Sequence, residues 1–314
     1  MKPGSTPKRR KKTYKDWWME RLNELHGFDA EAKNLYAVTS LAMEADSWAI
    51  LKLAFLSNYA DMYTSIIKSK IGHAYYIDTN AGCGLDMIQD VGNAIVFGSP
   101  LVAARKPKKP FDGYVLIEKK AEYCDALRKI IPQAVVVNGD ANSDVGDLTG
   151  ATLGLRHALS LVPAGTPMLI LIDPYGMDIR WRTVEMALKT WSDVIINFQS
   201  VSRVVGSALR NEKYGNTLTD FFGTDAWRAC DTYEDCLELY MSQVRKHKDI
   251  VFSIRIQGRQ AYHYYLIVAI KKTSGDQGWI GFIERMKENV EKADANDVET
   301  FMNIFSNKQQ TLFD

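Results

Sequence analysis

The chain predicts an α/β fold whose mostly parallel sheet ends in an antiparallel hairpin, preceded by a helical N-terminal extension. Three observations carry this. After residue 70, short apolar runs of strand length alternate with helical patterns, as expected for parallel strands joined by crossover helices. Before it, Trp48, Leu51, Phe55, Tyr59, Met62 and Ile66 recur at steps of three or four and so share one helix face. Near the end, VFSIRIQ (251–257) and AYHYYLIVAIK (261–271) are separated only by Gly258, Arg259 and Gln260, which reads as a hairpin.

Taken in order, residues 1–15 have the composition of a disordered basic arm, with seven Lys or Arg between positions 2 and 15 and no acid. The net charge of +1 therefore hides an acidic remainder. From Tyr14 to about Lys70 the pattern is helical, and residues 16–70 are expected to pack on the core as an extension. The main domain is expected over 71–300, with a helical insert at 200–230 and a tail at 301–314. Its strands are AYYIDT (74–79), GYVLIE (113–118), AVVVNGD (134–140), PMLILID (167–173) and DVIINFQ (193–199). Helices are expected at Pro100–Arg105, Ala121–Ile130, Leu153–Leu161 and Arg180–Thr190, and Leu237, Tyr240, Met241 and Val244 mark another amphipathic one.

A chain of 314 residues with 46% apolar composition can bury a full core. No apolar run approaches the roughly 18 residues that cross a bilayer, and the N-terminus lacks the apolar stretch of a secretory signal. A cytoplasmic protein is expected. Cys83, Cys124, Cys230 and Cys236 form no C-x-x-C pair, and the five histidines are scattered, so neither a disulfide framework nor a metal site is indicated.

Each of the first four strands ends in or beside an acid: Asp78, Glu118, Asp140 and Asp173. Acids in such places also cap helices and open turns. Four of them at carboxyl ends of strands, where an open α/β sheet binds ligands, read together as a site. The first strand runs into Asp78-x-x-x-Gly82-x-Gly84, with Met87 where a dinucleotide fingerprint has its third glycine. A carboxylate beside that loop repels a pyrophosphate. It suits a ligand with a cationic head, and S-adenosylmethionine carries an ammonium and a sulfonium. Glu118 is then placed to accept from both ribose hydroxyls and Asp140 from the adenine amino group, with Asp173 facing the reacting methyl.

YYIDTNAGCG, GSPLVAA (98–104), YVLIEKK, NGDAN, LILIDPYGM and YYLIVAIKK together resemble the three-Cys-motif partner proteins, a family similar to class I S-adenosylmethionine-dependent methyltransferases, over roughly residues 45–290. The resemblance implies a Rossmann-like methyltransferase fold, cofactor binding through Asp78, Gly82, Gly84, Glu118 and Asp140, and a companion protein bearing the three cysteines. The loop departs from the family's pattern in Thr79-Asn80 and Cys83.

Asp173-Pro174-Tyr175-Gly176 is similar to the D-P-P-Y box of enzymes that methylate exocyclic amino groups of bases, with the aromatic shifted by one position. In that box an acid or amide and a proline carbonyl accept from the target amine while the aromatic stacks on the base. Asp173, Pro174 and Tyr175 are accordingly the expected catalytic residues, and the expected acceptor is a nucleic acid, DNA before RNA. The basic arm and the cluster Arg105, Lys106, Lys108, Lys109 are candidate phosphate contacts. Gln309–Phe313 resembles the short tail with which DNA-processing proteins dock on a sliding clamp. Two other classes stay open: a non-catalytic binding protein that keeps the fold, and a dinucleotide oxidoreductase, which the missing third glycine disfavours.

Overall fold

The computed structural model describes residues 12–143, 153–198, 214–258, 263–272 and 277–307. The arm's residues 1–11, most of the first half of the insert and Gln309–Phe313 lie outside them.

The N-terminal extension is not one continuous helical run. Thr13 closes a capping box with Asp16 and starts α1 (Tyr14–His26). α2 (Asp29–Thr39) follows and ends on Ser40 in the left-handed region at φ 55°. β1 (Met43–Ala45) comes next, and then α3 (Trp48–Lys70). The periodicity from Trp48 to Ile66 is real, but it belongs to α3 alone, where residues 53–60 are all buried.

β2 (Tyr75–Asp78) opens the main sheet and is followed by β3 (Leu85–Ile88) and β4 (Ala94–Phe97). Neither β3 nor β4 is foreseen above. They are four residues each, and with β1 they form a separate sheet of order β1-β3-β4. The chain continues through α4 (Ser99–Arg105), β5 (Gly113–Glu118), α5 (Ala121–Ile130), β6 (Ala134–Asn138), α6 (Leu155–Ser160), β7 (Met168–Ile172), α7 (Trp181–Leu188) and β8 (Ser192–Phe198). Beyond the insert's α8 (Gly215–Phe222) come α9 (Tyr233–Val244), β9 (Ile250–Gln257), β10 (His263–Ile270), α10 (Gln277–Glu291) and α11 (Ala295–Asn307).

The main sheet has the order β6-β5-β2-β7-β8-β10-β9. β2 pairs in parallel with β5 on one side and β7 on the other, so the winding reverses there. β10 is antiparallel to both β8 and β9. The hairpin is thus present, but its second strand is inserted between β8 and the first. This is a Rossmann-like α/β fold, mostly parallel with one reversed strand.

Both faces of the sheet's central strands are covered, which explains the uninterrupted apolar character of β2, β5 and β7. Tyr76, Tyr114, Leu116, Leu169 and Leu171 face one core, shared with Phe55 and Tyr59 of α3 and Trp18 of α1. Ile77, Val115, Ile117, Ile170 and Ile172 face the other, with Leu155, Val184 and Tyr240. Tyr59 crosses the first core to donate to Asp193 of β8 at 2.8 Å, fixing α3 on the sheet. Among the described residues no helix is long and apolar enough to cross a membrane.

Candidate functional site

An open α/β sheet offers a crevice at the carboxyl ends of its strands where the winding reverses. Here that point is the end of β2, and the loop 79–84 leaves it. Gly82 and Gly84 have φ of +61° and +88°, a region that glycine enters without penalty. Both are also in close contact. A Cβ on Gly82 would lie 2.2 Å from Met43 Sδ of β1, and one on Gly84 would lie 2.8 Å from Ile130 Cδ1 of α5. The glycines therefore let the loop approach β1 and α5, which presses the small sheet onto the main one.

Glu118, at the end of β5, holds this loop. Its Oε2 accepts from the Gly82 N–H and its Oε1 from the Lys120 N–H, both at 2.9 Å. Each oxygen retains a further lone pair, and Glu118 lines a cavity of about 130 Å³ with Asn80, Gly139, Ala141, Tyr175 and Asp178.

A larger cavity of about 260 Å³ adjoins it and shares Asn80 and Tyr175 with it. Its walls come from β1 (Met43, Glu44), α3 (Trp48, Lys52), β3 (Asp86) and the segment after β7 (Asp173, Pro174, Tyr175). The Tyr175 side chain is 67% exposed and spans both cavities, its hydroxyl 3.7 Å from Met43 Sδ. Asp173, Pro174 and Tyr175 are thus brought together beside the glycine loop.

Asp173 is built in from two sides. Lys52 of α3 donates to its Oδ2 and Asn197 Nδ2 of β8 to its Oδ1 at 2.6 Å. The register explains the second contact, because Ile172 of β7 pairs with Ile196 of β8 and the next residues on each strand are Asp173 and Asn197. Burial opposes the charge on Lys52, but the ion pair with Asp173 and the nearby Asp86 and Asp78 outweigh it and leave its pKa above the usual value. Asp86 has the opposite setting. Burial pushes its pKa up to about 6, and no described residue donates a hydrogen bond to its carboxylate.

Asp78 does not line either cavity. It is fully buried and accepts from Tyr76 and Ser99 at Oδ2 (2.9 and 2.7 Å) and from the Asn80 N–H at Oδ1 (3.2 Å). Burial raises its pKa to about 6. It acts on the cavity through Ser99, which does line it. Asp140 is likewise occupied, paired with Lys119 at 2.9 Å and accepting from the Asn142 N–H, while its neighbours Gly139 and Ala141 face the smaller cavity. Besides Glu118, the acid that lines it is Asp178, which the sequence reading missed. Lys52, Asp86 and Asn197 were missed as well.

The basic cluster is not at this site. It starts at Arg105, the last residue of α4, and precedes Gly113, the first residue of β5, and so lies at the amino ends of the strands. Arg105 pairs with Glu31 and Lys106 with Glu24. Another cavity of about 260 Å³ also opens at the amino ends, between Ile67, Trp191 and Trp279, away from the glycine loop.

No family model matches the chain, and a comparison with curated proteins gives no match. Among solved structures, the chain is similar to protein LPL1258 from Legionella pneumophila, at a TM-score of 0.47 and 12% identity over 78% of this chain and 93% of that one. It is also similar to the plantazolicin methyltransferase BpumL in complex with S-adenosylhomocysteine and a pentazolic desmethylPZN analogue, at a TM-score of 0.36 and 11% identity over 81% of this chain and 100% of that one. A putative methyltransferase, yhhF, from Escherichia coli aligns at 0.31 and 12% over 68% and 88%.

Proposed function

We propose that the protein is an S-adenosylmethionine-dependent methyltransferase acting on an amino nitrogen. The observation that carries the reading is the pair of adjoining cavities over the Gly82–Gly84 loop at the winding reversal, one bounded by Glu118 and the other by Lys52, Asp86 and Asp173. A ribose fits the first, with Glu118 as acceptor for its hydroxyls. The charged amino-acid part of the donor fits the second, where Asp86 is a half-buried carboxylate that senses Lys52 through charge but accepts no hydrogen bond from the described residues.

The donor supplies an activated methyl group, and the chain's part is to bind, orient and exclude water. Asp173, held by Lys52 and Asn197, keeps lone pairs with which to accept from an acceptor N–H and aim the nitrogen lone pair. Tyr175 offers an exposed ring on which a planar acceptor can stack. These features support a nucleobase amino group as the acceptor, DNA before RNA. With Arg105 and Lys106 ion-paired at the far edge, that reading rests on Asp173, Pro174 and Tyr175. The resemblance adds a three-cysteine companion as a proposed partner.

The test is isothermal titration of S-adenosylmethionine and S-adenosylhomocysteine, followed by transfer of labelled methyl to single- and double-stranded DNA, RNA and protein. Micromolar binding corresponds to about 8 kcal/mol. Binding with label in nucleic acid supports the whole reading, and label in protein alone removes the nucleobase. Binding without transfer to any acceptor favours a non-catalytic protein that keeps the fold. Absence of heat with both ligands, or stabilisation by NAD instead, overturns the donor site.

A further inference from the structure

We propose that Lys52 and Asp86 form a charge pair that recognises the zwitterionic head of the methyl donor, Lys52 taking its α-carboxylate and Asp86 its α-ammonium. This rests on the donor reading above and deepens it.

Four acids and a single cation line the larger cavity among the described residues: Glu44, Asp46, Asp86 and Asp173 with Lys52. A site made only of acids would repel a carboxylate, so an amino-acid head needs the cation, and Lys52 is where it is. The ammonium of a lysine has three donors, and one is committed to Asp173. Two remain for a ligand carboxylate without breaking that ion pair. Glu44 is exposed, and Asp46 leads into α3 through the bond from the Ala49 N–H to its carbonyl.

The ammonium has three acids to choose from near the loop. Asp78 is sealed beneath the cavity with three donors already on it. Asp173 already has its cation in Lys52 and accepts from Asn197 at its other oxygen, so its charge is met within the chain. Of these three, Asp86 is the one that lines the cavity with a carboxylate accepting no hydrogen bond from the described residues; Glu44 also lines it without one, but is exposed. It sits on β3, opposite Val96, directly after the glycine loop, and the backbone of Gly98 leaves room beside its Oδ1, where a Cβ would come within 3.4 Å. Lys52 and Asp86 thus reach the cavity from different elements, α3 and β3, and a zwitterion between them links the N-terminal extension to the loop.

The experiment compares ligands that differ only in the head. S-adenosylhomocysteine has both charges, its decarboxylated analogue lacks the carboxylate, and 5′-methylthioadenosine lacks the whole amino-acid part. Each is titrated into wild type, Lys52→Met, Lys52→Arg and Asp86→Asn, with the folding of each variant checked by thermal melt. The expected result is a loss of ten-fold or more in affinity for S-adenosylhomocysteine in Lys52→Met and Asp86→Asn. Affinity for 5′-methylthioadenosine should change less than two-fold, and Lys52→Arg should recover most of the loss.

In wild type the decarboxylated analogue should bind as weakly as S-adenosylhomocysteine binds to Lys52→Met, a comparison that needs only a soluble wild type. Equal losses for S-adenosylhomocysteine and 5′-methylthioadenosine would make both residues merely structural and overturn the assignment, as would wild-type indifference to the carboxylate. If wild type binds none of the three ligands, the donor reading itself falls and this assignment with it.

Discussion

Gly82→Ala should weaken both the fold and donor binding, and Met43→Ala should rescue part of the damage. The alanine methyl would stand 2.2 Å from Met43 Sδ on a backbone at φ +61°. A non-glycine residue in the left-handed region costs about 1–2 kcal/mol, offset by about 0.4–1 kcal/mol from the stiffer unfolded chain. The contact adds to this. Met43 is flexible and can turn aside, but only by leaving Tyr175 and the loop, so overpacking contributes about 1 kcal/mol, the low end of the usual range. The single variant should therefore lose about 1–3 kcal/mol in urea unfolding. In a Met43→Ala background the steric part vanishes and Gly82→Ala should cost about 1 kcal/mol or less. A coupling of about 1 kcal/mol between the two positions is the expected result. Additive effects would refute the claim that the loop glycine exists to admit β1, and would leave only its backbone conformation as a reason.

Glu118→Gln leaves one acceptor oxygen for the two backbone N–H groups of Gly82 and Lys120, so one charge-assisted bond is lost. A stability loss of about 1–3 kcal/mol in urea melts and a ten-fold or larger rise in the Kd for S-adenosylhomocysteine are expected. Asp86 has its pKa raised to about 6, so it is protonated below that pH and cannot take an ammonium. Affinity should fall by up to about ten-fold per unit as pH drops below 6, and titrations in buffers of different ionisation enthalpy should show proton release on binding; Asp86→Asn should remove both effects. Lys248 is 2% exposed and donates to the Thr190 carbonyl and the Ser192 hydroxyl and carbonyl, and burial lowers its pKa to about 8. Its folded value lies below the unfolded one, so the penalty is full below pH 8 and is relieved as pH rises toward 10.5. Wild type should gain up to about 3 kcal/mol over that window relative to Lys248→Met, read from urea melts at both ends.

How much of this the sequence shows differs by element. The central parallel strands were legible because a strand covered on both faces has no polar position to blur its edges, and Ile77, Val115 and Ile170 with their neighbours are apolar without a break; the edge strand β6 was legible from its run of three valines, although Val135 is half exposed. β3 and β4 were not legible. Their pattern, LDMI and AIVF, is four residues long, and what makes them strands is β1 lying alongside, more than forty residues earlier in the chain. The Asp-x-x-x-Gly-x-Gly loop and the Asp-Pro-Tyr turn were visible as motifs, but which acids face the cavity was not. Asp78 and Asp140 have the right types at strand ends and are consumed locally by Ser99, Tyr76, Asn80 and Lys119. Asp86, after the glycine loop, and Asp178, after the Asp-Pro-Tyr turn, line the space instead.

Lys52 had a signal of its own. It is the only charge in the run AILKLAFL from Ala49 to Leu56, the part of α3 that is buried on nearly all sides. A charge in such a place must be paired, because an unpaired buried ion costs several kcal/mol. A partner carboxylate somewhere in the fold could thus be inferred from the run itself. Asn197 follows the same logic as the polar residue within the apolar stretch VIINF of β8. The two polar interruptions in otherwise apolar elements converge on one residue, Asp173, from opposite sides. Residues kept for packing alone would be replaced at little cost by Leu or Val at both positions. That both are polar, and that both donate to the acid in the Asp-Pro-Tyr turn, means the first core is arranged around that carboxylate. α3 is consequently part of the site and not merely a cover for the sheet.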